Sequence, residues 1–263
     1  MAEQFRERCE VKEQMELTEG IFSLRLQTEK IAAKARPGQF VSVYCKDRSR
    51  LLPRPISICE TDREMGLLQL VYRVSGAGTQ EFSSLRKGDF VDLTGPLGNG
   101  FPLERADGKR VLLLGGGIGT PPMLELARVL RNERHPSEMT AVLGYASETF
   151  LDEEIGAFCR VYVATEDGKY GCRGNVLTAV RAEGIEPDVI YACGPGPMLR
   201  ALQTYALEHQ IECWLSLEEK MACGIGACLS CVCRTKEIDA HSQVKKRRIC
   251  TEGPVFLSTE IIL

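Results

Sequence analysis

Residues 221–233 read MACGIGACLSCVC, and Cys250 follows in RRICTEGPVF. Cys223, Cys228, Cys231 and Cys250 are thus spaced C-x4-C-x2-C-x18-C. Three thiols on a short loop with a distant fourth is the ligand spacing of a [2Fe–2S] site. Such a loop must wrap thiolates around a small cluster while its amides face the sulfides, and Gly224 and Gly226 permit the turning and close approach this needs. Structural zinc is one competing reading, although zinc generally takes two C-x2-C-type pairs. Cysteines with a packing role alone are another. Cys233 falls outside the pattern, and KEIDAHSQVKKRR in the last gap reads as a solvated hairpin or loop.

Two glycine elbows suggest a second chemistry. GGGIGTPPM, residues 115–123, follows the apolar run RVLLL and opens a helical pattern. Backbone N–H groups and a helix start are thereby offered to an anion such as a dinucleotide pyrophosphate. The candidate contacts are Gly115, Gly116, Gly117, Gly119 and Thr120; the stretch is not a strict G-x-G-x-x-G, and a plain tight turn is the alternative. ACGPGPM, residues 192–198, ends a second apolar run and adds Gly194, Pro195 and Met198. Two elbows at the carboxyl ends of strands in one sheet converge on the crevice where such sheets bind ligands.

A third group lies earlier, in RPIS (54–57), VYR (71–73) and GAGT (76–79). Arg54, held by a proline, can pair with phosphate or a ring carbonyl. Ser57 can bond a ring nitrogen, and Gly78 and Thr79 can donate to phosphate. A strand arginine and an ordinary turn are the plainer alternatives.

These groups need elements to hold them. Before residue 105, the runs GIFSLRLQ, GQFVSVYC, RPISICE, GLLQLVYRV and GDFVDLTG predict a small antiparallel barrel or sandwich, interrupted by a helix at TQEFSSLRK. From Arg110, strand and helix patterns alternate through RVLLLGGG, TPPMLELARVLRNE, MTAVLGYAS, FLDEEIGAF, RVYVATED, GNVLTAVRAEG, DVIYACG, PMLRALQTYALEHQ and ECWLSLEE. That alternation predicts a parallel sheet covered by helices. The expected divisions are a barrel over 1–104, an α/β domain over 105–220 and a small cysteine-rich piece over 221–263.

Composition narrows the partners. The 263 residues carry a net charge of −3, which excludes the basic footprint of a nucleic-acid binder. No apolar run approaches the ~20 residues of a membrane helix. The charged start MAEQFRERCEVKEQ lacks the apolar core of a signal peptide, so a cytoplasmic location is expected. There the 12 cysteines would remain thiols, with Cys45, Cys59 and Cys159 as small core residues. His135, His209 and His241 sit in no motif, and no acid–base constellation stands out.

Taken in order, RPIS, VYR, GAGT, GGGIGTPPM, ACGPGPM and the terminal CGIGACLSCVC…CTEGPVF resemble the ferredoxin–NADP reductase superfamily. More narrowly, the whole chain resembles the family of electron-transfer subunits of NAD-dependent dihydroorotate dehydrogenases. The resemblance implies that Arg54, Pro55, Ile56, Ser57, Val71, Tyr72, Arg73, Gly78 and Thr79 bind FAD. Ile56 departs from the superfamily's R-x-[YF]-[ST] pattern, in which an aromatic stacks on the flavin. The resemblance also implies NAD at the two elbows and a [2Fe–2S] cluster on Cys223, Cys228, Cys231 and Cys250. Cys193 falls near the nicotinamide, with a buried core cysteine as the alternative reading. Glu166 and Asp167, beside Lys169 and Arg173, favour NAD over NADP.

The implied partner is an FMN-containing dihydroorotate dehydrogenase catalytic subunit, in a heterotetramer of two of each chain. Electrons would run from that FMN through the cluster and FAD to NAD⁺ in pyrimidine biosynthesis, and this chain alone would not oxidise dihydroorotate. The alternative is a diaphorase-type FAD/[2Fe–2S] subunit of a hydrogenase, sulfide dehydrogenase or ferredoxin-linked transhydrogenase.

Overall fold

The computed structural model describes residues 3–238 and 243–263. His241 and the tip of the KEIDAHSQVKKRR segment lie outside the described residues. The first half is a closed barrel of β1 (Phe5–Thr18), β2 (Ile21–Gln27), β3 (Phe40–Val43), β4 (Arg54–Asp62), β5 (Leu67–Arg73) and β6 (Phe90–Leu97). Their order is β1-β2-β5-β4-β3-β6, with every neighbouring pair antiparallel. Alternate side chains point inward, so Leu24, Leu26, Leu68, Leu70, Val91 and Leu93 fill the interior. Short helices α1 (Ile31–Lys34) and α2 (Ala77–Ser83) interrupt the strands.

β1 has no counterpart in the expected strands. It spans 14 residues but carries Arg6, Glu7, Arg8, Glu10, Lys12, Glu13 and Glu16. Only Cys9 and Val11 in it are buried, so its outer face hides the alternation that marks a strand. α2 starts two residues before the predicted TQEFSSLRK, at Ala77, and ends earlier, at Ser83.

The second half holds β7 (Arg110–Gly116), β8 (Glu138–Tyr145), β9 (Arg160–Thr165), β10 (Cys172–Arg173), β11 (Val189–Cys193) and β12 (Glu212–Ser216). The connecting helices are α3 (Pro121–Glu133), α4 (Asp152–Gly156), α5 (Val176–Ala182) and α6 (Gly196–Glu208). The sheet is parallel through β10-β9-β8-β7-β11-β12, so the chain reverses its direction of travel between β7 and β11. β7 is apolar throughout because both faces are covered. Leu113 packs with Met123, Leu126 and Leu130 of α3, while Leu112 and Leu114 pack with Val176, Leu177, Leu199 and Leu202 of α5 and α6.

The C-terminal segment forms β13 (Val232–Thr235), β14 (Lys246–Arg248), α7 (Ile249–Glu252), β15 (Val255–Leu257) and β16 (Ile261–Ile262). β13 lies between β14 and β16, and its antiparallel pairing with β14 makes the expected hairpin. β15 adds an antiparallel edge to β12, completing a seven-stranded sheet. Cys231, Ile249, Cys250, Phe256 and Ile261 belong to the same core as β7 and α6.

This segment is also seated on the barrel. Asn99 donates its side-chain amide to Glu252 O at 3.1 Å, and Gly98 packs on Pro254. Gly98 has φ +73°, and a Cβ there would come within 2.6 Å of Pro254 Cδ and 2.7 Å of Gly253 O. Gly98→Ala is therefore expected to destabilise the protein by about 1–3 kcal/mol in urea unfolding, because neither strain nor clash can relax without moving the C-terminal segment.

Candidate functional site

β4, β5 and α2 bring the first predicted group together. A cavity of about 500 Å³ is lined by Arg54, Pro55, Ile56, Ser57, Val71, Tyr72, Arg73 and Thr79, and closed on its far side by residues 216–221 and Pro254. Proline fixes the strand beside Arg54, whose guanidinium bonds Leu52 O and lies against Gly78. A Cβ at position 78 would overlap that guanidinium, which explains why a glycine serves there. The Thr79 hydroxyl is engaged in the turn: it accepts Ser75 N–H at 2.9 Å and donates to Gly76 O at 3.1 Å. What the turn leaves for an anion is the first-turn amides of α2, which have no acceptor inside the helix. The Tyr72 ring is turned into the barrel, stacked on Phe22 at 5.9 Å and edge-on to Phe82 at 6.1 Å.

The two elbows meet at the carboxyl edge of the sheet. Register places Gly115, Cys193 and Ser216 in one row across β7, β11 and β12. Gly116 abuts Met198 and Pro195, and Gly119 sits directly on the Cys193 carbonyl and Gly194 amide. Side chains at either glycine would force the elbows apart. They floor a second cavity of about 530 Å³, lined by Gly116, Gly117, Gly194, Pro195 and Met198, with Glu166 also in its wall. Gly115, Gly119 and Thr120 stand behind this wall. So does Cys193, which is 1% exposed, lines neither cavity and has its thiol pushed far up by burial.

Arg73, Ile118 and Glu218 line both cavities. Arg73 leaves the barrel and brings Nη2 within 3.6 Å of where a Gly117 side chain would begin. Glu218 is exposed to the cleft; the protein around it raises its proton affinity, and Arg73 offsets this only in part. Ile118 and Glu218 were not singled out from the sequence. Glu218 lies within the predicted strand ECWLSLEE, two residues past the observed end of β12 at Ser216, and that position near the strand's carboxyl end was the available signal.

The predicted cluster ligands fall into two neighbouring thiol pairs, Cys223 with Cys228 and Cys231 with Cys250. Burial raises the Cys223 thiol, but N–H bonds from Ile225, Cys228 and Ala227 outweigh it and bring the pKa down to about 7. Cys250 is pushed up to about 12 by burial and by its Cys231 neighbour, with the Gly226 amide opposing. Among the described residues, no three His, Cys, Asp or Glu side chains converge on a point that could chelate a single metal ion. Two thiol pairs ringed by amides instead suit a binuclear iron–sulfur group, whose sulfurs accept such N–H bonds. The Thr251 hydroxyl, buried without a protein partner beside Gly226, is a further polar group that such a cluster could satisfy. Cys233 stands apart on β13, paired with Arg247. Cys228 is exposed, and apolar Ile225 and Leu229 project beside it at 52% and 64% exposure.

The oxidoreductase FAD-binding domain family matches residues 8–101, and the iron–sulfur cluster binding domain of dihydroorotate dehydrogenase B matches residues 218–262. The electron transfer subunit of dihydroorotate dehydrogenase B (NAD(+)) from Geobacillus thermodenitrificans is 41% identical, over 98% of this chain and 99% of that protein. The corresponding subunit from Enterococcus faecalis is 42% identical over 95% of each. Among solved structures, an NADH-dependent reduced ferredoxin–NADP oxidoreductase superposes with a TM-score of 0.85 at 27% identity, covering 97% of this chain and 89% of that one.

The contact between Gly78 and Arg54 can be tested directly. Gly78→Ala is expected to displace the guanidinium with little loss of fold, since the obstructing group is a flexible side chain. FAD content, read from the ratio of flavin to protein absorbance, should fall as far as in Arg54→Ala while the unfolding midpoint stays near wild type.

Proposed function

The chain belongs to the family of dihydroorotate dehydrogenase B (NAD(+)) electron transfer subunits, and we propose that it carries electrons from the FMN of a dihydroorotate dehydrogenase catalytic subunit to NAD⁺ in pyrimidine biosynthesis. The observation that carries this reading is that the two cavities share Arg73, Ile118 and Glu218 in their walls, with the cysteine loop packed on the barrel. When bound, the [2Fe–2S] cluster and FAD supply the conversion of single electrons into a hydride, chemistry that no side chain here can perform.

The protein's own part is placement. Arg54, Pro55, Ile56, Ser57, Val71, Tyr72 and Arg73 form the FAD wall, and Gly78 with Thr79 holds the phosphate turn. Gly116, Gly117, Gly194, Pro195 and Met198 form the NAD floor, with Gly115, Gly119, Thr120 and Cys193 backing it. Glu166 in the wall of that cavity suits a ribose without a 2′-phosphate. Cys223, Cys228, Cys231 and Cys250 hold the cluster, and the exposed Ile225 and Leu229 face the catalytic subunit. The FAD, NAD and cluster portions correspond to residues 1–104, 105–220 and 221–263.

Assembly as two of each chain and a reducing cytoplasmic setting complete the reading. None of the described helices is long and apolar enough to cross a membrane.

Anaerobic purification of the tagged chain from its own cells tests this. The co-purified complex should form NADH from dihydroorotate and NAD⁺, whereas the isolated chain should show no dihydroorotate-dependent flavin reduction. A complex whose dyes are reduced by NADH but which ignores dihydroorotate would instead favour a diaphorase-type subunit, the direction in which the 27%-identical oxidoreductase points. In a second test, Cys231→Ala should abolish the cluster's paramagnetic resonance signal and dihydroorotate-dependent NADH formation. NADH-dependent dye reduction at FAD should persist within a few-fold.

A further inference from the structure

Among the described residues, Glu125 is the one charged side chain that is fully buried, at 0% exposure, and it lies where the barrel meets the sheet domain. Its Oε1 accepts the Thr61 hydroxyl at 2.7 Å and its Oε2 accepts the Thr61 N–H at 3.2 Å. Arg128 donates from Nη2 to the two carboxylate oxygens at 2.8 and 2.9 Å and from Nε to Oε2 at 3.1 Å. The same Nη2 also reaches Thr61 O at 3.1 Å. A carboxylate and a guanidinium from α3 thus grip one residue of β4 through its hydroxyl, its amide and its carbonyl.

Both elements lead to the site. β4 begins with Arg54, Pro55, Ile56 and Ser57, the wall of the first cavity. A β-bulge between Ile58 and Glu60 breaks the strand's alternation just before Thr61, and Cys59 at the bulge is buried in the core with Met123 and Leu126 of α3. α3 opens directly from the GGGIGT elbow that floors the second cavity. Any slide of α3 along β4 therefore moves the two cavities relative to each other. Apolar contacts tolerate small slides, because dispersion and burial are non-directional. Directional, charge-assisted bonds fix the register. Buried ion pairs are also poor devices for stability alone, since desolvation offsets most of their attraction.

We propose that the Thr61–Glu125–Arg128 brace sets the spacing between the flavin wall and the nicotinamide floor, making Glu125 a positioning residue for hydride transfer. This rests on the FAD/NAD reading above. Glu125 itself touches neither cavity. Hydride transfer requires reacting atoms about 3–3.5 Å apart, and a misplacement of about 1 Å can cost a hundredfold in rate.

The test uses the full chain with its FAD, mixed anaerobically with NADH while flavin absorbance is followed. Glu125→Gln and Thr61→Val should keep wild-type FAD content and NADH affinity within about twofold. Flavin bleaching should slow roughly ten- to a hundredfold, with a larger kinetic isotope effect for NADH deuterated at the transferred position. Thr61→Ser, which retains the hydroxyl, should restore the wild-type rate and isotope effect. If the variants lose thermal stability but bleach at wild-type rates, the brace is only a staple and the proposal falls. Should Glu125→Gln fail to fold, Thr61→Val decides in the same way, because it leaves the Glu125–Arg128 pair intact. Absence of NADH-dependent bleaching in the wild type would overturn the FAD/NAD reading itself, and this proposal with it.

Discussion

A hydride moves only between atoms in contact, so a protein that exchanges one between two bound groups must hold two separate binding surfaces in a fixed relation. Here those surfaces belong to different architectures, a barrel and a parallel sheet. Their cavities share Arg73, Ile118 and Glu218, one residue each from β5, the first elbow and the end of β12. The Phe101–Tyr191 ring contact at 5.5 Å and the Tyr191 hydroxyl bond to Pro102 O at 2.8 Å also join the end of the barrel to the sheet. Single electrons tolerate wider gaps than hydrides. Within the cysteine loop Cys228 reaches the surface while Cys231 and Cys250 are buried, and the two cavities meet at their three shared residues.

Much of this was legible in the sequence because glycine and cysteine are read by position. The elbows follow fully apolar strands, and parallel strands buried on both faces announce themselves as unbroken Val/Leu runs. The cysteine spacing named a cluster because few other groups need three thiols on one glycine-rich turn. The α/β alternation from Arg110 predicted every helix and every strand of the parallel sheet except the two-residue β10.

What escaped had no local signal. β1 presents charges outward, so two buried residues among seven charged ones gave no usable period. Glu218 and Ile118 matter through the meeting of distant strands, which no spacing along the chain encodes. Cys193 carried two readings, one near the nicotinamide and one in the core. Its place at a strand end suggested contact with the nicotinamide, but the close seating of Gly119 on its carbonyl keeps its thiol in the core. Thr79 likewise has the right position, yet its hydroxyl is spent on its own turn.

The C-terminal segment leaves β12 after Ser216 and returns as β15 to pair with that same strand, Ser216 opposite Val255. Leu217 N–H also bonds Pro254 O at 2.9 Å, so the excursion through all four cluster cysteines starts and ends at one point on the sheet. Closing a long loop costs little more than closing a short one. The cluster portion therefore begins and ends at one sheet edge, while Gly98 and Asn99 seat it on the barrel. Because its first residues and Pro254 also line the flavin cavity, the one-electron port and the flavin wall share one stretch of chain and are exchanged together or not at all.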